Sequence, residues 1–370
     1  MVRNWGVVLL AGWRYNRGML IPRSLLSVLV VLFCGMLAGC SVPGSGNPPV
    51  IDDSVTITGA VSAPAVANSG LLAAAGQNND ATAFARFLAS STLKVNGRTV
   101  EFSLNETSRE LKVEKLPPAA SYELELRCGD FSLIAFAPNS GRQISLPYGI
   151  SLRSTAEWYL RAAFGSSNNF AIDHFADYQV SSTLVDTLVT GLQAELNKTG
   201  LDSSAWRLAA SNGASTLVKD REMTEVMQRT GSAFSYNGTF SGTVYYWRLN
   251  GSGIPVMEVQ AAAMLTCVSS GNTVNGSLKL EPQAVRPIEN YTVTSQPSTV
   301  AFSFTGALNG SYLRFTRRAA NDGSPLSGKD LDSWFIFPVN GGLAVQAENL
   351  DQAYRTGIQT RAGDFILRKK

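Results

Sequence analysis

Four groups of residues have types and spacing suited to chemistry. Cys40 closes an apolar run directly behind the small residues Ala38 and Gly39, which together compose a cleavage site with a thiol at its edge. His174 is the one histidine, and Asp173 and Asp177 flank it, so a carboxylate would be at hand to orient an imidazole base. Asp330 and Asp332 lie two apart beside Trp334, and would offer oxygen ligands to calcium or a sugar cleft with an indole platform. In Tyr245-Tyr246-Trp247, strand alternation puts Tyr246 on one face and its two neighbours on the other.

Most of these fall short of a reaction. A lone histidine cannot build a histidine-rich metal site with two distant cysteines, and no Gly-x-Ser-x-Gly elbow supplies a nucleophile for it. Two aspartates are too few for a calcium loop, and aspartate is a common turn residue, so a polar loop is the simpler reading of residues 330–332. Neither a phosphate loop nor a dinucleotide fingerprint occurs. The sequence therefore points to no catalytic residue, no metal and no cofactor. Trp334, Tyr246 and Trp247 remain as candidates for contact with a ligand. Arg314, Arg317 and Arg318, with the terminal Arg368-Lys369-Lys370, would make at most a local basic patch for anionic headgroups.

Ahead of Cys40, Arg23 provides a positive start, Leu25 to Leu37 an apolar run, and Ala38-Gly39 the small residues of a signal peptide. That run is too short for the ~20 apolar residues of a permanent span. Counted from Met1 the presequence has 39 residues, beyond the usual range; Met19 is the start that fits, with Met1 to Gly18 an extension. Leu37-Ala38-Gly39-Cys40 resembles the lipobox of bacterial lipoproteins. The resemblance implies cleavage between Gly39 and Cys40, lipidation of Cys40, and a membrane held as partner through that lipid. Ser41 in place of aspartate then implies delivery to the outer membrane, on a face the sequence does not specify.

Cleavage changes the charge. Of 31 Lys and Arg, four (Arg3, Arg14, Arg17 and Arg23) lie in the presequence with no acidic residue, which leaves 27 against 28 Asp and Glu. A nearly neutral mature chain has no basic face for nucleic acid. Cys34 leaves with the signal. An oxidising envelope would permit a disulfide between Cys128 and Cys267, but both share strand parity with apolar neighbours on the cores of separate modules, so free thiols are the first expectation and a bridge the alternative.

The mature chain divides by pattern. Residues 40–53 form a Ser/Gly/Pro-rich linker. Residues 54–152 read as strands: Val55 and Ile57 alternate with polar residues, a loop of small residues runs from about Ala63 to Asn79, and Asn96-Gly97 turns a hairpin between Leu93-Val95 and Val100-Phe102-Leu104. The run Val113 to Leu116-Pro117 to Tyr122-Glu123-Leu124 resembles the carboxypeptidase regulatory-like, transthyretin-like β-sandwich, with Ala119-Ala120-Ser121 where that family has a turn glycine. Residues 153–232 read as a helical connecting layer. One helix is expected to start at Ser154, boxed with Glu157, and to stop at Gly165; a second carries Leu184, Val185, Leu188, Leu192 and Leu196 and stops at Gly200; a third runs from about Leu217 to Arg229.

Residues 233–370 return to strands. Five Asn-Gly pairs, beginning at Asn237, Asn250, Asn275, Asn309 and Asn340, predict a meander of eight to ten antiparallel strands that closes or folds over on itself. Gly238-Thr239-Phe240 and the final Gly363-Asp364-Phe365-Ile366-Leu367-Arg368 resemble the lipocalin-like barrels, with Phe240 where a tryptophan is usual. The expected fold is thus mainly β: an N-terminal sandwich, a helical middle and a C-terminal barrel-like or sandwich module. The expected function is non-catalytic binding of a small apolar ligand, a glycan or an envelope protein through the C-terminal module. A structural or adhesive surface lipoprotein is the alternative, and a hydrolase of another kind stands behind both.

Overall fold

The computed structural model describes residues 54–64 and 90–370, apart from 106, 130, 200–202, 231–233, 251, 289–290, 293–296 and 351–356. Cys40, the presequence, the linker, Gly200 and all but the first residues of the small-residue loop lie outside that set.

Residues 54–152 form two four-stranded sheets. β1 (Val55–Ala60), β4 (Ser103–Asn105), β5 (Glu110–Leu116) and β8 (Gln143–Ser145) make one, in the order β4-β5-β1-β8. β2 (Ser91–Val95), β3 (Arg98–Val100), β6 (Ser121–Cys128) and β7 (Phe131–Pro138) make the other, in the order β3-β2-β6-β7. The predicted Asn96-Gly97 turn joins β2 to β3 with φ of 48° and 77°, the positive values that make this pair suit a two-residue hairpin. After Leu116-Pro117, Tyr122 holds the turn through Ala119-Ala120-Ser121. Its hydroxyl donates to the Pro117 carbonyl and accepts from Ala119 N–H, each at 3.1 Å.

A helical layer follows. Helix α1 (Leu152–Ser167) starts two residues before the expected Ser154. Ser151 is the cap, and Ser154 is its partner in the box: Ser154 N–H donates to Ser151 Oγ at 3.2 Å, and Ser151 N–H to Ser154 Oγ at 2.9 Å. Gly165 does not stop the helix, which ends at Asn168. A Cβ at Gly165 would lie 2.8 Å from the Phe170 carbonyl oxygen, so the glycine admits the returning chain. At its start α1 also seals the edge strand β7. Ile134 N–H donates to Thr155 Oγ1, and Ser154 Oγ donates to the Ile134 carbonyl, both at 2.8 Å. Side chains thus occupy backbone groups that an open edge would leave to another chain.

Helix α2 (Ser182–Thr199) buries Leu184, Val185, Leu188, Leu192 and Leu196, the stripe read from the sequence. The expected third helix is replaced by three pieces. α3 (Ser203–Val218) places Trp206, Ala210, Ala214 and Val218 inward; Asp220 turns the chain with φ of 58°; then come one turn, α4 (Met223–Val226), and a strand, β10 (Met227–Arg229). β10 pairs antiparallel with β9 (Tyr178–Val180). Val218, Val226 and Met227 are buried, although one continuous helix does not carry them.

The C-terminal module is a closed eight-stranded barrel in which every strand neighbours the next: β11 (Gly238–Leu249), β12 (Pro255–Ser270), β13 (Thr273–Pro287), β14 (Val300–Asn309), β15 (Tyr312–Arg318), β16 (Asp330–Val339), β17 (Gly342–Asn349) and β18 (Ile366–Lys369). The last strand closes it, since β18 pairs with both β17 and β11. Closure removes the edges that a sheet of this length would expose. Two Asn-Gly pairs turn tight hairpins as expected, at Asn309-Gly310 and Asn340-Gly341. Two others do not: Asn237-Gly238 leads into β11, and Asn275-Gly276 lies within β13. Gly271, with φ of 59°, turns the chain from β12 into β13.

The modules are not separate beads. Tyr312, Phe337, Val339 and Ala344, facing outward from the barrel, join the core formed by the sandwich and the helices. Phe170 meets Phe337 edge-on at 6.1 Å, and the Tyr312 hydroxyl donates to the Met227 carbonyl at 3.2 Å. Burying one such aromatic contributes on the order of 1.5–3 kcal/mol, so several in one seam hold the barrel firmly against the helical layer.

Candidate functional site

The inside of the barrel is filled. Phe304 and Phe315 stack at 3.9 Å and 7°, Phe315 and Trp334 at 6.0 Å and 9°, and Phe365 meets Trp334 edge-on at 6.1 Å. Trp334 and Tyr246, two of the expected contact residues, belong to this interior and have 0% and 1% exposure. They form the core of the barrel, and neither presents a ring to an external ligand. Trp334 follows Asp332 on the inward register of β16, and the sequence reading of that stretch as a polar loop is overturned: Asp330 opens the strand and Asp332 is wholly buried.

Asp332 is fully engaged. Arg317 Nε donates to its two oxygens at 3.0 and 3.1 Å and Arg317 Nη2 adds a further bond; Trp334 Nε1 and Ile358 N–H, the latter at 3.1 Å, complete the shell. Nearby, the Arg248 guanidinium lies 5.6 Å from the Tyr246 ring centroid and donates to the Gly357 carbonyl at 3.1 Å. Burial pulls Arg248 below the ordinary arginine pKa and pushes the Tyr246 phenol above its own. This polar knot plugs one end of the lumen. The expected basic patch is likewise dispersed, because Arg317 pairs with Asp332, Arg318 with Asp330 at 2.6 Å, and Arg314 with Glu222.

Trp247 is the expected contact residue that faces outward. It lines a surface cleft of about 640 Å³ between the loop at Asp220–Met223 and the outer wall of the barrel. Arg361 packs on the indole with its guanidinium 4.9 Å from the ring centroid, and Asp364 holds Arg361 at 3.1 Å. Gln359 joins the wall beside Trp247 through a pair of backbone hydrogen bonds, of 2.8 and 3.2 Å. Further along the same wall Phe335 projects from β16, with Tyr312 stacked against it at 5.4 Å and Arg314 over it at 5.1 Å. Arg314 in turn binds Glu222 from the helical layer, so the ion pair spans the seam between layer and barrel. The sequence reading missed Phe335 and Glu222, and had Arg314 only as part of a basic patch. The alternation of β16 was available to place Phe335 outward, but no local pattern brings residue 222 to residue 314.

His174 lies away from this cleft. Its Nδ1 is 3.3 Å from the Ala171 carbonyl and 3.5 Å from Asp173, and Phe170 packs on its ring at 5.5 Å. Asp177 turns instead to Arg229, at 3.5 Å. Cys128 and Cys267 are free thiols, as expected, and burial pushes the Cys267 thiol up to about 12. Among the described residues no three His, Cys, Asp or Glu side chains gather as a metal site, and no helix is long and apolar enough to cross a membrane. No protein-family model matches the chain, and neither a curated protein nor a solved structure is found similar to it.

Proposed function

We propose that this chain is a lipid-anchored protein of the bacterial envelope that binds without catalysis, through the outer wall of its barrel and not through its lumen. The observation that carries the reading is the stacked interior of Phe304, Phe315 and Trp334, which leaves an apolar ligand no volume there. The cleft at Trp247 offers what the lumen lacks: open volume, an aromatic ring and convergent polar groups at a junction between modules, the usual setting of binding sites. Cys40 would carry the lipid and Ser41 would direct the protein to the outer membrane, with residues 40–53 as the tether.

A photo-cross-linking amino acid placed at position 247 in intact cells tests this, with the same probe at Thr266, on the outer face of β12, as control. Adducts from 247 and not from 266 are expected. Equal yields at both positions, or none at 247, would overturn the cleft as the binding surface.

A further inference from the structure

On the reading that the cleft at Trp247 is the binding surface, we propose that its ligand is a neutral oligosaccharide. Three features of the cleft carry this. The first is the indole of Trp247 on the barrel wall of the cleft, which suits the C–H-rich face of a pyranose ring, with the edge of Phe335 further along the same wall. The Arg361 contact and its link to Asp364 hold the indole in place before any ligand arrives, which lowers the ordering cost of binding.

The second feature is the polar chemistry between the rings. Gln346, Gln359 and Glu348 supply planar groups that donate or accept in pairs, matching adjacent sugar hydroxyls that do both. Gln359 is already oriented, because its Oε1 accepts Asn349 N–H at 2.9 Å. The third is charge. Arg221 and Arg314 stand against Asp220, Glu222 and Glu348 in the lining, and Arg314 is bonded to Glu222. Such a cleft has no net positive field to gather phosphates or a polyanionic polymer. An apolar ligand would strand the amides and carboxylates that line it. A neutral glycan satisfies both rings and polar groups. A cavity of about 640 Å³ holds a short stretch of sugar units and not one alone.

The test is calorimetric titration of the full-length protein in detergent with hexamers of β-1,4-linked N-acetylglucosamine, β-1,4-linked glucose and α-1,4-linked glucose, and with a polyuronate as the anionic control. At least one neutral hexamer is expected to bind in preference to the polyuronate. Trp247→Ala should weaken that binding about tenfold or more, the loss typical of a central aromatic anchor, and Trp247→Phe less. Gln346→Ala, on the exposed side of β17, should weaken it without disturbing the core, and the urea midpoints of the variants show whether they fold. Preference for the polyuronate, or failure of every neutral hexamer to bind, would overturn the neutral-glycan class while leaving the cleft to be decided by cross-linking. A hexamer that binds wild type and Trp247→Ala equally would overturn the cleft as its site.

Discussion

Arg317 and Asp332 face each other across β15 and β16 inside the barrel, and the carboxylate they share has no exposure to solvent. A buried carboxylate costs several kcal/mol of lost hydration, which is repaid only when its oxygens are fully bonded. Here Arg317, Trp334 and Ile358 supply the bonds. Asp332→Ala would leave the guanidinium of Arg317 without its counter-charge and is expected to cost about 3–5 kcal/mol. The double variant Asp332→Leu/Arg317→Met should recover only part of that loss, because it removes the unpaired charge but leaves Trp334 Nε1–H and Ile358 N–H without their acceptor. Urea denaturation of the three proteins, followed by tryptophan fluorescence, measures both. A single variant as stable as the parent would contradict this account of the barrel end.

Gly276 makes a second prediction, and it also shows where an Asn-Gly pair misleads. Within β13 a Cβ at this position would lie 2.5 Å from the Thr266 carbonyl oxygen and 2.6 Å from Phe304 Cζ. The glycine is there so that Phe304 can lie flat against the strand and stack on Phe315. Gly276→Ala is therefore expected to destabilise by about 1–3 kcal/mol, the usual cost of overpacking. Gly310→Ala should act differently: nothing crowds that site, and its cost comes from a φ of 62°. Thermal melts separate the two, since Gly276→Ala should also reduce near-ultraviolet ellipticity from the disturbed ring stack, while Gly310→Ala should leave it unchanged.

What could be read in advance follows from how local each signal is. Period-two alternation placed Val55, Ile57, Tyr122 and Leu124 inward, and the three- and four-residue spacing of Leu184 to Leu196 gave α2 its buried stripe. Such patterns depend on one element at a time. Helix α3 escaped because its inward face is Trp206, Ala210, Ala214 and Val218, where two alanines carry little apolar weight despite helical spacing. Asp332 escaped for a different reason. An aspartate near a tryptophan is normally a turn residue, and its burial depends on an arginine 15 positions away that arrives from the neighbouring strand. Of the site, Trp247 was legible by alternation, but the cleft around it needs the loop at residues 220–223, which only the tertiary packing of the helical layer brings there.

The free thiols predict a response to alkali. Burial holds Cys267 protonated until about pH 12, whereas the unfolded chain releases that proton near 9. Between those values the folded state binds more protons than the unfolded one, so stability falls as pH rises. Burial raises Tyr178, Tyr236 and Tyr246 as well, and these add in the same direction above their ordinary value of 10. Urea midpoints should therefore decline from pH 9 upward, with Cys267→Ala declining less steeply between 9 and 10. In the native protein at neutral pH, peptide mapping after maleimide treatment should find Cys267 unmodified, and modified once urea is present. A midpoint that holds or rises through this range would count against the buried-thiol account.

The anchor gives the last prediction, and it is independent of the barrel. If Cys40 bears the lipid, then Cys40→Ser should abolish incorporation of an alkyne-tagged fatty acid and move the protein from the membrane fraction to the soluble one. Acyl chains contribute ~0.8 kcal/mol per buried CH₂, so no plausible surface contact of a nearly neutral protein replaces them. Met19→Ala should at the same time abolish expression if translation starts there, whereas Met1→Ala should leave the anchored product unchanged in size and amount. A Cys40→Ser protein that still sediments with membranes and still takes up the fatty acid would place the anchor elsewhere in the chain.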